Sequence, residues 1–306
     1  MTDSLLRRAQ HSLAPLQRRE LAQALEIAGA DPVANVVPLM HLEMARDSGV
    51  TPTSMWAVRR RAGLRAELVA LVWNGANLCP VLPADASEES EAMRAEVAAA
   101  AVGRLTRPAA IVGPSETVLD LWGRVEPWWG PERELRPRQL SMAISGAPVR
   151  VAGVDDAGLA LDAVRRATLD DYDLLLPACV HMFIGEVGYD PLAHGRAAYE
   201  ERLRFLVRSG RSFLQLGTID GRREVVFKAE VGAVAGGVAQ LQGVWVHPRL
   251  RGRGLARAGL GGVIDAVRRS IAPTVSLYVN DFNPAAIRAY EAVGLARVGT
   301  FATVMF

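Results

Sequence analysis

The residues with the clearest capacity for chemistry lie in "WVHPRLRGRGLARAGLGGVIDAV", Trp245 to Val267. Three arginines and two glycines fall between Arg249 and Gly254, after an apolar strand pattern that ends at Val246 and before a helix pattern rich in small residues. A strand that turns through Arg251, Gly252, Arg253 and Gly254 into a helix leaves several backbone N–H groups unpaired at one point, where the helix dipole also favours negative charge. Such a turn can cradle a phosphate or pyrophosphate. Glycine suits positions 252 and 254 because a side chain there would hold the anion away from the N–H groups, and because glycine takes positive φ freely. The stretch lacks the Gly-Lys-Ser/Thr ending of a P-loop, and it lacks the third glycine and downstream acid of a dinucleotide fingerprint. An isolated run of arginines would be a solvated face, so the reading depends on what surrounds it.

A second motif stands downstream in "SLYVNDFNPAAIRAYEAVGL", Ser276 to Leu295. By themselves Asn283 is a helix cap ahead of Pro284 and Tyr290 is a core aromatic. In this order and spacing the two segments resemble the GNAT superfamily of acyl-CoA-dependent N-acetyltransferases. The central motif of that family, V-x-P-x-x-R/Q-x-x-G-x-G/A, is met by Val246, Pro248, Arg251, Gly254 and Ala256. Leu295 stands where the family usually has Phe.

The resemblance implies acetyl-CoA as cosubstrate and an amine, of a small molecule or a protein, as acceptor, with direct attack on the thioester. It implies a pyrophosphate held by the N–H groups of Gly252, Arg253, Gly254, Leu255 and Ala256, next to Arg251. The backbone of Val244, Trp245 and Val246 would pair with the pantetheine arm and polarise the thioester carbonyl. Asn283 would contact the cosubstrate, and Tyr290, with an ordinary pKa near 10, would protonate the leaving thiolate. The base is less plain. Many family members carry a Glu on the strand before the loop, whereas Gln240 and Gln242 stand there, and Gln cannot take a proton. Glu230 on the preceding strand is the first expectation, with Asp281 and Glu186, the latter in a loop "FIGEVGYDP", behind it. Glu230 also reads as a strand partner of Lys228. The missing strand carboxylate leaves a second function open, an acyl-CoA-binding regulatory module with little or no turnover.

These residues need a scaffold of strands and helices. In the second half, helices are expected near 170–183 and 195–210, a hairpin through Ile219-Asp220-Gly221, a strand over 238–246, a strand over 274–280, a helix over 283–294 and a closing apolar strand. The first half reads as helices over 16–29 and 35–49, a hairpin around Asn74-Gly75-Ala76-Asn77, a helix over 87–105, a strand over 108–114, a helix over 115–125 and a strand over 138–144. A strand "VRVAG" follows at 149–153. Trp128-Trp129 reads as a packed turn or a domain contact. The fold class is α/β with a mixed sheet, in two domains. Residues 1–150 are expected to form a degenerate GNAT-like domain that does not bind CoA, since "LCPVLPADASEES" stands where a glycine turn would be. Residues 151–306 are expected to form the GNAT domain. The layout resembles two-part acetyltransferases of actinobacteria with an N-terminal domain of unknown function.

Composition agrees with a folded protein. Half of the 306 residues are hydrophobic and 22% are charged. The 35 basic and 33 acidic residues leave a net charge of +2, too small a field to grip nucleic acid. Cys79 and Cys179 stand far apart without a C-x-x-C pattern, which argues against a disulfide framework or a zinc site and for a reducing, cytoplasmic setting. The histidines have unrelated spacings, so no metal is expected. No apolar run reaches membrane-spanning length. A homodimer is compatible with all of this.

Overall fold

The computed structural model describes residues 10–62, 65–149 and 160–306. The chain divides into two compact units, Met1–Ser141 with Val298–Phe306, and Met142–Arg297. The closing segment from Val298 thus falls in the first unit, whereas the sequence alone placed it with the second.

The first unit contains β1 (His11–Pro15), α1 (Leu21–Gly29), α2 (Val36–Ser48), β2 (Met55–Ala62), β3 (Arg65–Asn74), β4 (Asn77–Val81), α3 (Glu88–Arg104), β5 (Ala110–Pro114), α4 (Ser115–Trp129) and most of β6 (Glu134–Ile144). Its sheet runs β1-β2-β3-β4-β5, and then takes in β12 (Ala296–Met305) beside β5 and β6 beside β12. Met305 pairs with Ala110 and Phe301 with Pro114, antiparallel. Leu78, Val97, Ile111, Trp122 and Val304 are part of one buried cluster between this sheet and its helices. Trp129 ends α4 as a helical residue and not in a turn, edge-on to Phe306 at 6.2 Å, while Trp128 is exposed.

The second unit contains β7 (Arg165–Arg166), α5 (Tyr172–Val187), α6 (Pro191–Arg208), β8 (Ser212–Ile219), β9 (Arg222–Ala235), β10 (Val238–Val246), α7 (Leu255–Ser270), β11 (Thr274–Asn280) and α8 (Pro284–Ala292). Its strands follow the order β11-β10-β9-β8-β7. The hairpins β8–β9 and β9–β10 are antiparallel, and β10 and β11 are parallel, joined by the α7 crossover. The strand expected over 149–153 lies outside the described residues apart from Val149.

Small residues let α7 lie close to the sheet. A Cβ on Gly259 would sit 2.6 Å from the Phe227 ring of β9, so only glycine permits this approach. Leu250 and Leu255 bury themselves with Ile219 and Val226 at the start of the helix. Those contacts fix where the α7 N-terminus points.

α5 begins from a single 3-10 turn, Leu169–Asp171. Thr168 and Asp171 form a reciprocal capping box there, and Arg165 donates two bonds to Asp171, each of 2.7 Å. The helix runs on to Val187 before Gly188 ends it in the left-handed conformation. Glu186, expected in a loop, therefore stands on the last turn of a helix.

Candidate functional site

β10 and β11 pair from Val238 opposite Thr274 to Gln240 opposite Ser276. β10 continues to Val246 along β9, while β11 gives way to α8. Between them opens a cavity of about 660 Å³. Its walls are Val244, Trp245 and Val246 from β10, Arg251, Gly252, Gly254, Leu255 and Ala256 from the following turn and helix, and Asn283 and Tyr290 from α8. Residues singled out from two separate motifs thus line one cavity. Arg253, Glu230 and Asp281 are not among the lining residues.

The turn is built on two left-handed glycines, Gly252 with φ 81° and Gly254 with φ 83°. Gly254 is the N-cap of α7, and no side chain caps that end. Arg257 and Ala258 donate to the Gly254 carbonyl, so the N–H groups of Leu255 and Ala256 have no carbonyl within the helix. No acid occupies the first turn. A Cβ on Gly252 would meet nothing within 4 Å, so the loop at that point faces open space. A phosphate fits such an end on both hydrogen-bonding and dipole grounds.

The arginines divide the labour. Arg249 forms an exposed pair with Asp220 of the β8–β9 turn, 2.5 Å, and Arg251 Nε donates to the Val246 carbonyl at 3.4 Å. Arg257 and Arg288, which the motif reading passed over, also line the cavity. Three arginines, Arg251, Arg257 and Arg288, therefore line the same cavity as the bare helix start.

Asn283 caps α8 by accepting the Ala286 N–H at 3.1 Å, which leaves its NH₂ as the free half of the amide's bonding capacity. Tyr290 is 8% exposed. Burial, and then the Glu186 carboxylate, push its phenol above the ordinary value, so it stays protonated throughout the neutral range.

One face of α5 also lines the cavity: His181, Met182, Gly185 and Glu186. Spacings of one, four and five residues put these on a single helical face, a signal present in the sequence once the helix is carried to Val187. His181 Nδ1 accepts from Trp245 Nε1 at 3.3 Å. His181 is thus tied to the site strand.

Glu230 has a different placement from the one expected of a base. It is 4% exposed, and Lys228 Nζ donates to its Oε1 at 2.6 Å. Cys179 Sγ donates to the same oxygen at 3.4 Å, and Gln242 Nε2 donates to Oε2 at 3.3 Å. Burial pushes the Glu230 carboxyl up, but Lys228, with Arg202 and Cys179, holds the group below its ordinary value. Its oxygens are committed beneath the strand.

Residues 175–295 match the family model of the acetyltransferase (GNAT) family, and residues 53–175 match a domain of unknown function, DUF4081. No curated protein matches the chain. A GCN5-related N-acetyltransferase from Sphaerobacter thermophilus is similar in structure at 18% identity and TM-score 0.58, covering 97% of this chain and 95% of that one. An acetyltransferase of the GNAT family from Colwellia psychrerythraea is similar at 12% identity and TM-score 0.57, over 96% and 99% of the two chains. A tandem GNAT protein from the clavulanic acid biosynthesis pathway is similar at 15% identity and TM-score 0.54, over 96% and 98%. The likeness at these identities is one of fold, and it spans both units: a GNAT-type α/β plan recurs in the first. No helix of the described residues is long and apolar enough to cross a membrane. Over residues 175–295 the chain thus matches the acetyltransferase (GNAT) family, behind a stretch that matches a domain of unknown function.

Proposed function

We propose that the protein is an acetyl-CoA-dependent N-acetyltransferase that works in its second unit. The observation that carries this reading is that a bare helix start with two left-handed glycines opens into the same cavity as Asn283 and Tyr290. The N–H groups from Gly252 to Ala256 hold the pyrophosphate, with Arg251, Arg257 and Arg288 around it. The β10 edge from Val244 to Val246 pairs with the pantetheine arm and directs an N–H at the thioester oxygen, where negative charge develops in the transition state.

The amine of the acceptor attacks the thioester carbon. The new C–N bond forms, the C–S bond breaks, and the sulfur leaves with its electron pair. Tyr290 gives its phenolic proton to that sulfur. The proton lost by the amine passes to Glu186, directly or through water, because Glu186 is the carboxylate in the cavity wall and Glu230 is held by Lys228. The acceptor enters along the α5 face, and the first unit binds no CoA.

The direct test is thiol release from acetyl-CoA in the presence of a broad amine panel, with calorimetric titration of acetyl-CoA alongside. Binding and thiol release together support transfer. Binding without release over the whole panel supports the regulatory acyl-CoA module, a reading that the buried, paired Glu230 favours. A protein that binds neither acetyl-CoA nor CoA would overturn both.

A further inference from the structure

Lys228 is completely buried, and Glu230 lies beside it two residues along β9. Across the ladder, Gln242 of β10 pairs with Glu230 and Trp245 pairs with Lys228. Two β10 residues, Gly243 and Val244, therefore stand opposite the single residue Ala229. That is a β-bulge, and Gly243 takes it with φ 58°. The ion pair comes from the two β9 residues that flank the bulge.

The two side chains meet under the bulge glycine. A Cβ on Gly243 would lie 3.0 Å from Met182 Cε, 3.1 Å from Lys228 Nζ and 3.5 Å from Glu230 Oε2. Met182 and Val244 both line the cavity. The pair is thus one layer below the stretch of β10 where the strand edge leaves the ladder and becomes a wall of the site.

A buried ion pair is poor evidence of stabilisation, because desolvation cancels most of the attraction and apolar replacements of equal volume often do as well. Here the pair is bonded on several sides: Cys179 and Gln242 donate to the same carboxylate that accepts from Lys228. Such a network fixes one arrangement of the chain against near alternatives, in this case one register of β10 against its neighbour by a single residue.

We propose that Lys228 and Glu230 are positioning residues for the acyl group: by clamping the bulge at Gly243 they hold the β10 edge from Val244 to Val246 at the angle that receives the thioester carbonyl. The proposal rests on the acyl-CoA reading of the cavity. It concerns the acetyl end of the ligand and leaves the pyrophosphate cradle, built on α7, unaffected.

Single variants leave one buried charge without its partner and are expected to fold poorly, so the test is the double variant Lys228→Met/Glu230→Met in the full chain, compared with wild type by thermal melting and by calorimetric titration of acetyl-CoA and of CoA. The expected result is a folded protein that keeps CoA affinity within about twofold of wild type but binds acetyl-CoA about tenfold more weakly, with kcat reduced in proportion. A folded double variant with the wild-type ratio of acetyl-CoA to CoA affinity and wild-type turnover overturns the proposal and leaves the pair a structural one. If the double variant does not fold, Gly243→Ala serves instead, since its new methyl group presses on Met182, Lys228 and Glu230 together. The same selective loss of acetyl-CoA affinity supports the clamp, and an unchanged ratio overturns it. Wild-type protein that binds neither ligand removes the acyl-CoA reading, and the proposal falls with it.

Discussion

The connection from β4 to α3 and the connection from β10 to α7 hold the same place in two similar chain paths. Each follows a strand antiparallel to the one before it and parallel to the one after it. They treat the start of the helix in opposite ways. At α3, Ser87 accepts the Ser90 N–H at 3.2 Å, and Asp85 accepts the Ser87 N–H at 3.0 Å and the Ser90 hydroxyl at 2.7 Å. Those bonds from Ser87 and Ser90 hold the Asp85 carboxyl down at about 2, and Glu88, Glu89 and Glu91 add charge to the first turn. At α7 there is a glycine cap, no side-chain bond and no acid. One unit satisfies the positive helix end from within, and the other leaves it without a side-chain cap or an acid.

The same contrast runs through the neighbouring elements. β3 and β4 pair in unbroken register from Asn74–Leu78 to Leu71–Val81, whereas β10 slips twice against β9. Seven residues after the cap of α8 stands Tyr290 in the cavity wall. Seven residues after the cap of α4 stands Leu121, buried in the core. The same place in the chain path holds a core residue in the first unit and a cavity-lining residue in the second, so fold likeness over both units is no argument for like chemistry in both.

Importing the first unit's solution into the second gives the largest expected effect. Gly254→Asp puts a carboxylate at the α7 cap, in a left-handed conformation that Asp tolerates better than most residues. Acetyl-CoA affinity measured by calorimetry is expected to drop about 100-fold, or about 3 kcal/mol, with folding retained. Affinity within about threefold of wild type would remove the helix start from the site. The next effect tests the Tyr290–Leu121 contrast. Tyr290→Phe keeps the apolar packing and removes the proton, so kcat should decline about 100-fold while acetyl-CoA affinity holds. Equal turnover in the two proteins would reduce Tyr290 to a core aromatic like its counterpart.

How far this was legible in the sequence follows from the range of each signal. The glycine turn, Asn283 and Tyr290 are local signatures, and the fold brings them to one cavity. The hairpin at Asn74–Asn77 and the Ser87 cap are local too. β2 was missed because Arg59, Arg60 and Arg61 interrupt its apolar alternation, and only the structure shows Arg59 turned inward onto Glu20 at 2.6 Å. The choice among the three carboxylates turned on a tertiary feature. Whether Glu230 faces a cavity or Lys228 depends on a one-residue bulge in the next strand, and bulges leave little trace in hydrophobic period. Glu186 was seen but assigned to a loop, because the helix expected near 170–183 runs on to Val187 and ends at Gly188. The return of the last strand to the first unit is a pairing between distant segments, which no local pattern encodes.

Emptying the first unit's helix start should have a smaller effect and a different readout. Asp85→Ala removes the acceptor of two bonds but leaves Glu88, Glu89 and Glu91 in place. The melting temperature is expected to fall by a few degrees, with no second acetyl-CoA site gained. A second binding event in the titration would show that Asp85 alone separates the two units' behaviour.

The smallest effect comes from a helix start in the second unit that is filled like α3 and not bare like α7. Ahead of α5, Asp171 accepts from the Thr168 N–H at 2.8 Å and from Arg165 through both oxygens, and these bonds, those of Arg165 foremost, hold its carboxyl at about 2. The unfolded value is about 3.9. Because the folded value is the lower one, the contribution is fully present above about pH 4 and is lost as pH falls through about 2. Arg165 is 43% exposed, so screening cuts the contribution to about 1 kcal/mol. Asp171→Asn should therefore lower stability at pH 7 by about that amount and flatten the acid limb of the stability curve between about pH 4 and pH 2. Since α5 carries His181, Met182 and Glu186 to the cavity, the variant should also raise KM for the acceptor slightly and leave acetyl-CoA affinity unchanged. An acid limb identical to that of wild type would mean that Asp171 does not anchor the helix.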